Sequence, residues 1–283
     1  MAPNKQKTAL ITGCSEGGIG HALALEFSRR GVHVFATART PSKMASLETI
    51  PNITLLAMDV TSQASIDSAA KAVINADIGA GETLDYLVNN AGGQVVMPVL
   101  DLDMNVARQM YEVNFWGMLA VIKTFAPLVI KAKGTIANLS SIGASLYIPY
   151  LVTYASSKAA GEVLSEGLRR ELAPFGVRVA TVIVGGVKTN IHQNSPQHQL
   201  PPGSLYTPVA EKISDRATGK DINVRMDDPH VFAKRLVKDL LDGASGKIYR
   251  GNISSTMGFL AWFLPSWVMD RFAVMGTGLD SLW

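Results

Sequence analysis

Short, almost continuously apolar runs alternate along this chain with stretches in which apolar residues return every three or four positions. The runs are KTALIT (7–12), VHVFATAR (32–39), ITLLAMDV (53–60), TLDYLVNNAGG (83–93), GTIANLSS (134–141), VRVATVIVGG (177–186) and GKIYRG (246–251). Helical spacing occupies 20–30, 66–80, 101–132, 153–173 and 229–243. Strands apolar on both faces belong to a parallel sheet covered by helices on both sides. The pattern therefore predicts an α/β fold with a doubly wound, Rossmann-type parallel sheet, whose ligands lie at the carboxyl ends of its strands. No repeat and no composition break divides the chain. The expectation is one catalytic domain over 1–250, with a polar Pro-, Gln- and Asn-rich lid at about 190–228 and an apolar C-terminal extension over 251–283.

With 283 residues, 47% hydrophobic and 17% charged, the chain can bury a sizeable core. A formal net charge of +3, with its cations in scattered pairs such as Arg29/Arg30, argues against nucleic acid as a partner. The single cysteine, Cys14, excludes an internal disulfide and a cysteine-rich zinc site. His21, His192 and His198 form no metal-ligand spacing, so no metal is expected. MAPNKQK followed by TALITG has neither the apolar run nor the cleavage site of a signal peptide, which makes a cytoplasmic protein the expectation.

Two motifs carry chemistry. ITGCSEGGIGHALALEF (11–27) sets glycines between a strand and a helix, where backbone can approach a pyrophosphate and the helix N-terminus supplies donors and positive dipole. In NLSSIGASLYIPYLVTYASSK (138–158), Tyr154 and Lys158 are four apart. On a helix they share one face, and the ammonium gives the phenol a reason to ionise below its ordinary range. An ordinary amphipathic helix shows the same spacing, so the pair alone decides little.

Taken together, Thr12-Gly13, Gly17-Gly18-Ile19-Gly20, Asn89-Asn90-Ala91-Gly92, Asn114, Ser141 and Tyr154…Lys158 stand in the order found in the short-chain dehydrogenase/reductase family, which this chain resembles over about 7–190. The glycine turn is one residue longer than the family pattern, leaving open whether Gly17 or Gly18 takes the middle position. The resemblance implies hydride transfer between a nicotinamide and a carbonyl carbon. Ser141 would bond the carbonyl oxygen, Tyr154 donate the proton, Lys158 lower the tyrosine pKa and hold the ribose, and Asn114 position a water of the relay. It implies cofactor contacts from Gly13, Ser15, Gly18, Ile19, Gly20, Asp59, Val60, Asn90, Ala91, Gly92, Lys158, Val187 and Thr189. Asp59 reads equally well as a turn residue. Where NAD-specific members carry an acid after the second strand, this chain has Thr37, followed by Arg39; a guanidinium there favours a 2′-phosphate and hence NADPH. Gly185-Gly186 replaces the family's Pro-Gly, which predicts a looser backbone beside the nicotinamide.

The substrate is less legible. TMGFLAWFLPSWVMDRFAVMG (256–276) is strongly apolar but broken by Pro265, Asp270 and Arg271, too short for a spanning helix. It reads as an interfacial helix, seating the protein peripherally on the endoplasmic reticulum or a lipid droplet, as a flap over the site, or as a subunit contact. The turn, VFATAR strand and apolar tail are most similar to the fungal NADPH-dependent 1-acyldihydroxyacetone-phosphate reductase group; Lys188 and His192 are candidates for its phosphate. A steroid, polyketide or terpenoid ketone of specialised metabolism is the competing enzyme reading, and a non-catalytic NADP(H) sensor a third. The family commonly forms homodimers or homotetramers through its fourth and fifth helices; the apolar face of NFWGMLAVIKTFAPLVI (114–130) suits that or core.

Overall fold

The computed structural model describes residues 6–76, 78, 82–195, 199–222 and 225–282. Seven parallel strands form one sheet in the order β3-β2-β1-β4-β5-β6-β7: β1 Thr8–Thr12, β2 His33–Ala38, β3 Ile53–Ala57, β4 Tyr86–Asn89, β5 Thr135–Ser141, β6 Arg178–Val184 and β7 Gly246–Arg250. The chain runs outward from β1 to β3, then crosses back to β4, so the carboxyl ends of β1 and β4 bound a crevice at the topological switch point. Helices α1 (Ile19–Arg29) and α8 (Pro229–Leu241) cover one face, burying Leu23, Phe27, Phe232 and Leu236 against β1 and β2. On the other face lie α2 (Gln63–Ile74), α3 (Met104–Tyr111) running into α4 (Met118–Ala132), and α6 (Val152–Leu172), which follows the single turn α5 (Gly143–Leu146). Each continuous apolar run has become a strand, and the inner ones such as β1, β2 and β4 are buried on both faces, while the edge strands β3 and β7 are only partly covered.

Helix α2 ends at Ile74, short of the expected 80, and Ala80 lies outside the described residues. The long pattern at 101–132 is helical but not uniform. Glu112–Gly117 winds as one π-helical turn between α3 and α4, so the helix takes in an extra residue there. By length and composition 104–132 could cross a membrane; here 44% of its most apolar stretch is buried inside the fold, including Met118, Val121, Ile122, Phe125, Leu128 and Val129.

Beyond β6 the next long helix among the described residues is α7 (Ala210–Thr218). Its Ile213 packs with Val209, Val96 and Tyr150. The C-terminal apolar segment is two short helices, α9 (Ser254–Phe263) and α10 (Ser266–Val274), hinged at Leu264 and Pro265. The turn after α10 is stitched back to the domain by the Tyr150 hydroxyl, which donates to the Thr277 carbonyl at 3.1 Å.

Gly117 shows how tightly the π turn is held. A Cβ there would stand 2.8 Å from the Val60 carbonyl and 2.9 Å from that of Glu112. Gly117→Ala should lower stability by about 1–3 kcal/mol, read as a reduced midpoint in urea unfolding; an unchanged midpoint would show the turn free to relax.

Candidate active site

The register of α6 positions the site. Helices normally bury an apolar stripe, yet this one turns Ser157, Lys158, Glu162 and Ser165 inward together with Ala155 and Gly161. Lys158, Glu162 and Ser165 each find a partner on the sheet. Lys158 Nζ donates to the Leu139 carbonyl at 3.0 Å, Ser140 Oγ donates to Glu162 Oε1 at 2.8 Å, and Asn138 Nδ2 donates to Ser165 Oγ at 3.0 Å. Thr181 Oγ1 reaches Ser165 Oγ from β6 at 2.8 Å, and Lys247 Nζ on β7 bonds Glu162 Oε2 at 3.1 Å. With α6 so fixed, Tyr154 lies one turn above Lys158, at the carboxyl end of β5 beside Ser141. The Lys158 nitrogen is 6.0 Å from the centre of the Tyr154 ring. Ser141 Oγ accepts from the Gly143 amide at 3.1 Å, and Ser141 Oγ and the Tyr154 ring both stand within 4 Å of where a Gly143 Cβ would lie.

The electrostatics differ from what the Tyr–Lys spacing suggested. Burial pushes the Tyr154 phenol above its ordinary range, and the Ser141 hydrogen bond pulls it back only in part. Burial also pushes Lys158 down, to about 8. The ammonium is bonded to a backbone carbonyl and surrounded by protein, so its own desolvation dominates over any help it gives the tyrosine.

Asn114 sits in the π turn, almost fully buried. Its side chain is a clamp: Oδ1 accepts from the Gly93 amide at 2.9 Å, and Nδ2 donates to the Gly93 carbonyl at 3.0 Å and to Ser157 Oγ at 2.9 Å. Gly92 is drawn close as well; a Cβ there would lie 3.2 Å from both Asn114 Oδ1 and Lys158 Nζ. Ser157, the next residue but two from the tyrosine and unremarked in the sequence, donates to the Tyr154 carbonyl at 2.7 Å. Asn114, Ser141, Tyr154 and Lys158 are therefore brought together.

The glycine turn stands across the crevice. Asn90 Nδ2 donates to the carbonyls of Thr12 (2.8 Å) and Gly13 (2.9 Å), and the amides of Asn90 and Ala91 donate to Thr12 Oγ1 at 3.0 and 2.8 Å. Gly20 is needed for closeness, since a Cβ would meet the Gly13 carbonyl at 2.4 Å. The extra residue resolves simply: Gly17 takes φ +75°, and Gly18 is the N-cap of α1, leading into Ile19 and Gly20. Gly18 donates its amide to the Ser15 carbonyl at 3.2 Å. Thr37 is buried and bonds the Ile11 carbonyl, while Arg39 is exposed just past β2. The Glu16 amide donates to the Lys43 carbonyl at 2.9 Å, which brings a second basic residue near the turn, one that no motif pointed to. The cradle fits a dinucleotide: closely apposed glycines, an open helix N-terminus, and a basic rather than acidic residue past β2.

Asp59 does act as a turn residue, its Oδ1 accepting from the Thr61 amide (2.9 Å) and hydroxyl (2.8 Å); Val60 is buried against Gly117. Val187 is buried, and Thr189 Oγ1 accepts from the Ile191 amide. The looser backbone expected at Gly185-Gly186 is not found. Both amides are bonded, Gly185 to the Arg250 carbonyl (2.8 Å) and Gly186 to that of Asn252 (2.9 Å), and a Cβ on Gly185 would fall 2.2 Å from the Asn252 carbonyl. Glycine here admits a neighbouring strand end that a larger residue would exclude.

On its other side Tyr154 packs against an apolar cluster of Val95, Met97 and Met110, on which Val106 and Leu200 also rest. The segment after β6 rests on the glycine turn through Asn190 Nδ2, which donates to the Glu16 carbonyl at 3.2 Å. His192 Nδ1 and Gln94 Nε2 are 2.9 Å apart. Among the described residues no group of three or more His, Cys, Asp or Glu side chains could hold a metal ion; His198 lies outside them.

Comparison with known proteins agrees with this geometry. The family model described as short chain dehydrogenase matches residues 7–200. A short-chain dehydrogenase of Penicillium ochrochloron is 44% identical over 98% of this chain and 100% of its own length. The NADPH-dependent 1-acyldihydroxyacetone phosphate reductase of Schizosaccharomyces pombe is 40% identical over 74% of this chain and 70% of its own. A short chain dehydrogenase from Burkholderia cenocepacia, solved in complex with NADP, superposes with a TM-score of 0.73 at 25% identity, covering 94% of this chain and 97% of that one.

The depressed Lys158 has a consequence for stability. Between about pH 8 and its ordinary value near 10.5 the unfolded chain holds a proton that the folded chain has released, so stability rises with pH across that window. Relative to Lys158→Met, the wild type without cofactor should gain up to about 3 kcal/mol between pH 7.5 and 10.5. Urea unfolding of both proteins across the range checks this; parallel pH profiles would mean the lysine keeps an ordinary pKa.

Proposed function

The chain belongs to the short chain dehydrogenase family, and from that premise we propose that it reduces a lipophilic ketone at the site where Ser141, Tyr154 and Lys158 converge. It is an NADP(H)-dependent oxidoreductase. NADPH, when bound, supplies the hydride. The residues that would hold it are Gly13, Ser15, Gly18, Ile19 and Gly20 at the pyrophosphate, Arg39 at the 2′-phosphate, Asp59 and Val60 at the adenine, Asn90 to Gly92 and Lys158 along the riboses, and Val187 and Thr189 at the carboxamide.

The chain's own groups manage the proton. The Ser141 hydroxyl donates to the substrate carbonyl oxygen, polarising it and holding it against the phenol. Tyr154 donates its proton to the same oxygen as negative charge develops there. A phenol held protonated by burial suits a proton donor in the reducing direction. Lys158 would hold the ribose of the bound cofactor and support the phenolate once the proton has gone; Asn114, clamped to Gly93 and Ser157, holds the loop and helix in register. The observation that carries the reading is the convergence of Ser141 and Tyr154 about Gly143 at the end of β5, with Lys158 one turn below.

The apolar cluster beside Tyr154 supports a lipophilic substrate, and the fission-yeast relative supports 1-acyldihydroxyacetone phosphate as the first one to try. A phosphate-free ketone is the second reading. It is favoured by His192, one of the two residues offered for a phosphate, which already bonds Gln94 and lies against Gly219. The interior of this reading is catalytic in either case; a sensor has no use for a proton donor.

Tyr154→Phe should cut turnover about a thousandfold while NADPH binding, followed by fluorescence titration, survives; substantial turnover in that variant would remove Tyr154 from the chemistry. Arg39→Glu should lower kcat/KM with NADPH by at least about tenfold and leave NADH use nearly unchanged; equal effects on both cofactors would place the 2′-phosphate elsewhere. NADPH oxidation with acyl-phosphate and phosphate-free ketones separates the two substrate readings.

A further inference from the structure

Between Arg250 and Asp270 the chain has no ionisable side chain. The structure builds this neutral stretch into a protrusion fastened at both ends. At its root the Ser254 side chain is buried against Gly185, and Gly258 on α9 presses on the Tyr249 ring, where a Cβ would meet Cε1 at 2.4 Å. On the return Met269 is buried, and Thr277 is held by Tyr150. The elbow between α9 and α10 points away from these anchors. It exposes Phe259 (63%), Trp262 (85%), Phe263 (64%) and Trp267 (65%). Phe259, Trp262 and Phe263 share one face of α9 at helical spacing, and the Phe259 and Phe263 rings pack at a tilt of 35° with centroids 4.5 Å apart.

We propose that this elbow docks the enzyme on a lipid bilayer, resting in the interface and not crossing it. Helices of 10 and 9 residues are about 15 Å long, half of what a bilayer core of roughly 30 Å requires. The chemistry favours lipid over a protein partner. From 257 to 269 the only polar side chains are Ser266 and the two indoles, whereas a protein interface carries about one hydrogen bond per 100–200 Å² and a polar rim. Tryptophans at the edge of a neutral apolar wedge suit the headgroup level, where the indole N–H finds phosphate and carbonyl oxygens. The neutral wedge ends at the exposed pair Asp270 and Arg271, whose charges offset each other, so the dock rests on apolar contact and not on anionic headgroups.

The placement also concerns the substrate. Helix α9 packs against α5, the turn that follows Ser141, and Tyr147 at the end of α5 is 75% exposed. A docked elbow would hold the apolar side of the active site against the membrane, so that a lipophilic ketone enters from the bilayer. This last step rests on the proposed reductase function; the docking itself does not.

The test is flotation of the full chain with vesicles of phosphatidylcholine, with and without phosphatidylserine, alongside quenching of tryptophan fluorescence by brominated lipid. The wild type should float and be quenched. Trp262→Glu/Trp267→Glu should weaken vesicle partition about tenfold or more and raise KM only for a ketone supplied in vesicles, leaving turnover of a water-soluble ketone unchanged. Wild type that neither floats nor is quenched, or a variant that floats equally well, overturns the proposal. So does a wild-type oligomer that the double variant dissociates without any vesicle binding, which makes the elbow a subunit contact. Failure to reduce any ketone while flotation persists counts against the function and not against the dock.

Discussion

The arrangement depends on the polar contact between α6 and strands β5 and β6. Burying Ser157, Lys158, Glu162 and Ser165 on a helix face is costly unless every group is met, since each orphaned polar atom costs about 1–3 kcal/mol. Here Leu139, Ser140, Asn138 and Thr181 meet the last three at fixed heights along the sheet, and Asn114 meets Ser157. Rotating α6, or sliding it by one turn, would orphan several at once. An apolar seam would tolerate such slips far better, because dispersion contacts are not directional. The polar seam thus trades desolvation for register, and register is what holds Tyr154 opposite Ser141.

The loop after β4 couples this seam to the glycine turn. Asn90 closes on Thr12 and Gly13, while Gly93 is gripped by Asn114, which also holds Ser157 on α6. One short segment therefore sets the distance between the cradle for the dinucleotide and the helix that carries the tyrosine. The π turn at Glu112–Gly117 belongs to the same device: the added residue interrupts the regular helix where Asn114 bridges to Gly93 and Ser157, while Gly117 lets the backbone close on Val60. That a lysine in such a seam sits near pH 8 is the electrostatic trace of its burial.

Much of this was legible in the sequence. Runs such as TALIT and RVATVIV lack alternation, and strands buried on both faces must read that way, so the parallel sheet followed from residue type alone. Ser141, Tyr154, Lys158 and Asn114 were found because they recur as a spaced set. Side-chain partners were not legible. The Gln94–His192 pair, the Ser157 link and the approach of Lys43 to Glu16 join residues far apart in the chain or carry no motif. Two expectations failed for the same physical reason, the neglect of tertiary neighbours. Gly185 read as slack is pinned by Asn252, and a tyrosine read as acidified is instead raised by burial.

The central claim is that this polar seam builds a carbonyl-reducing site beside an NADPH cradle. Its most direct test uses NADPH carrying deuterium at nicotinamide C4, on each face in turn, with a lipophilic ketone as acceptor and mass analysis of the alcohol. The account predicts deuterium on the carbinol carbon from one face only. Oxidation of the labelled cofactor without deuterium in the alcohol, or transfer from both faces alike, would contradict it.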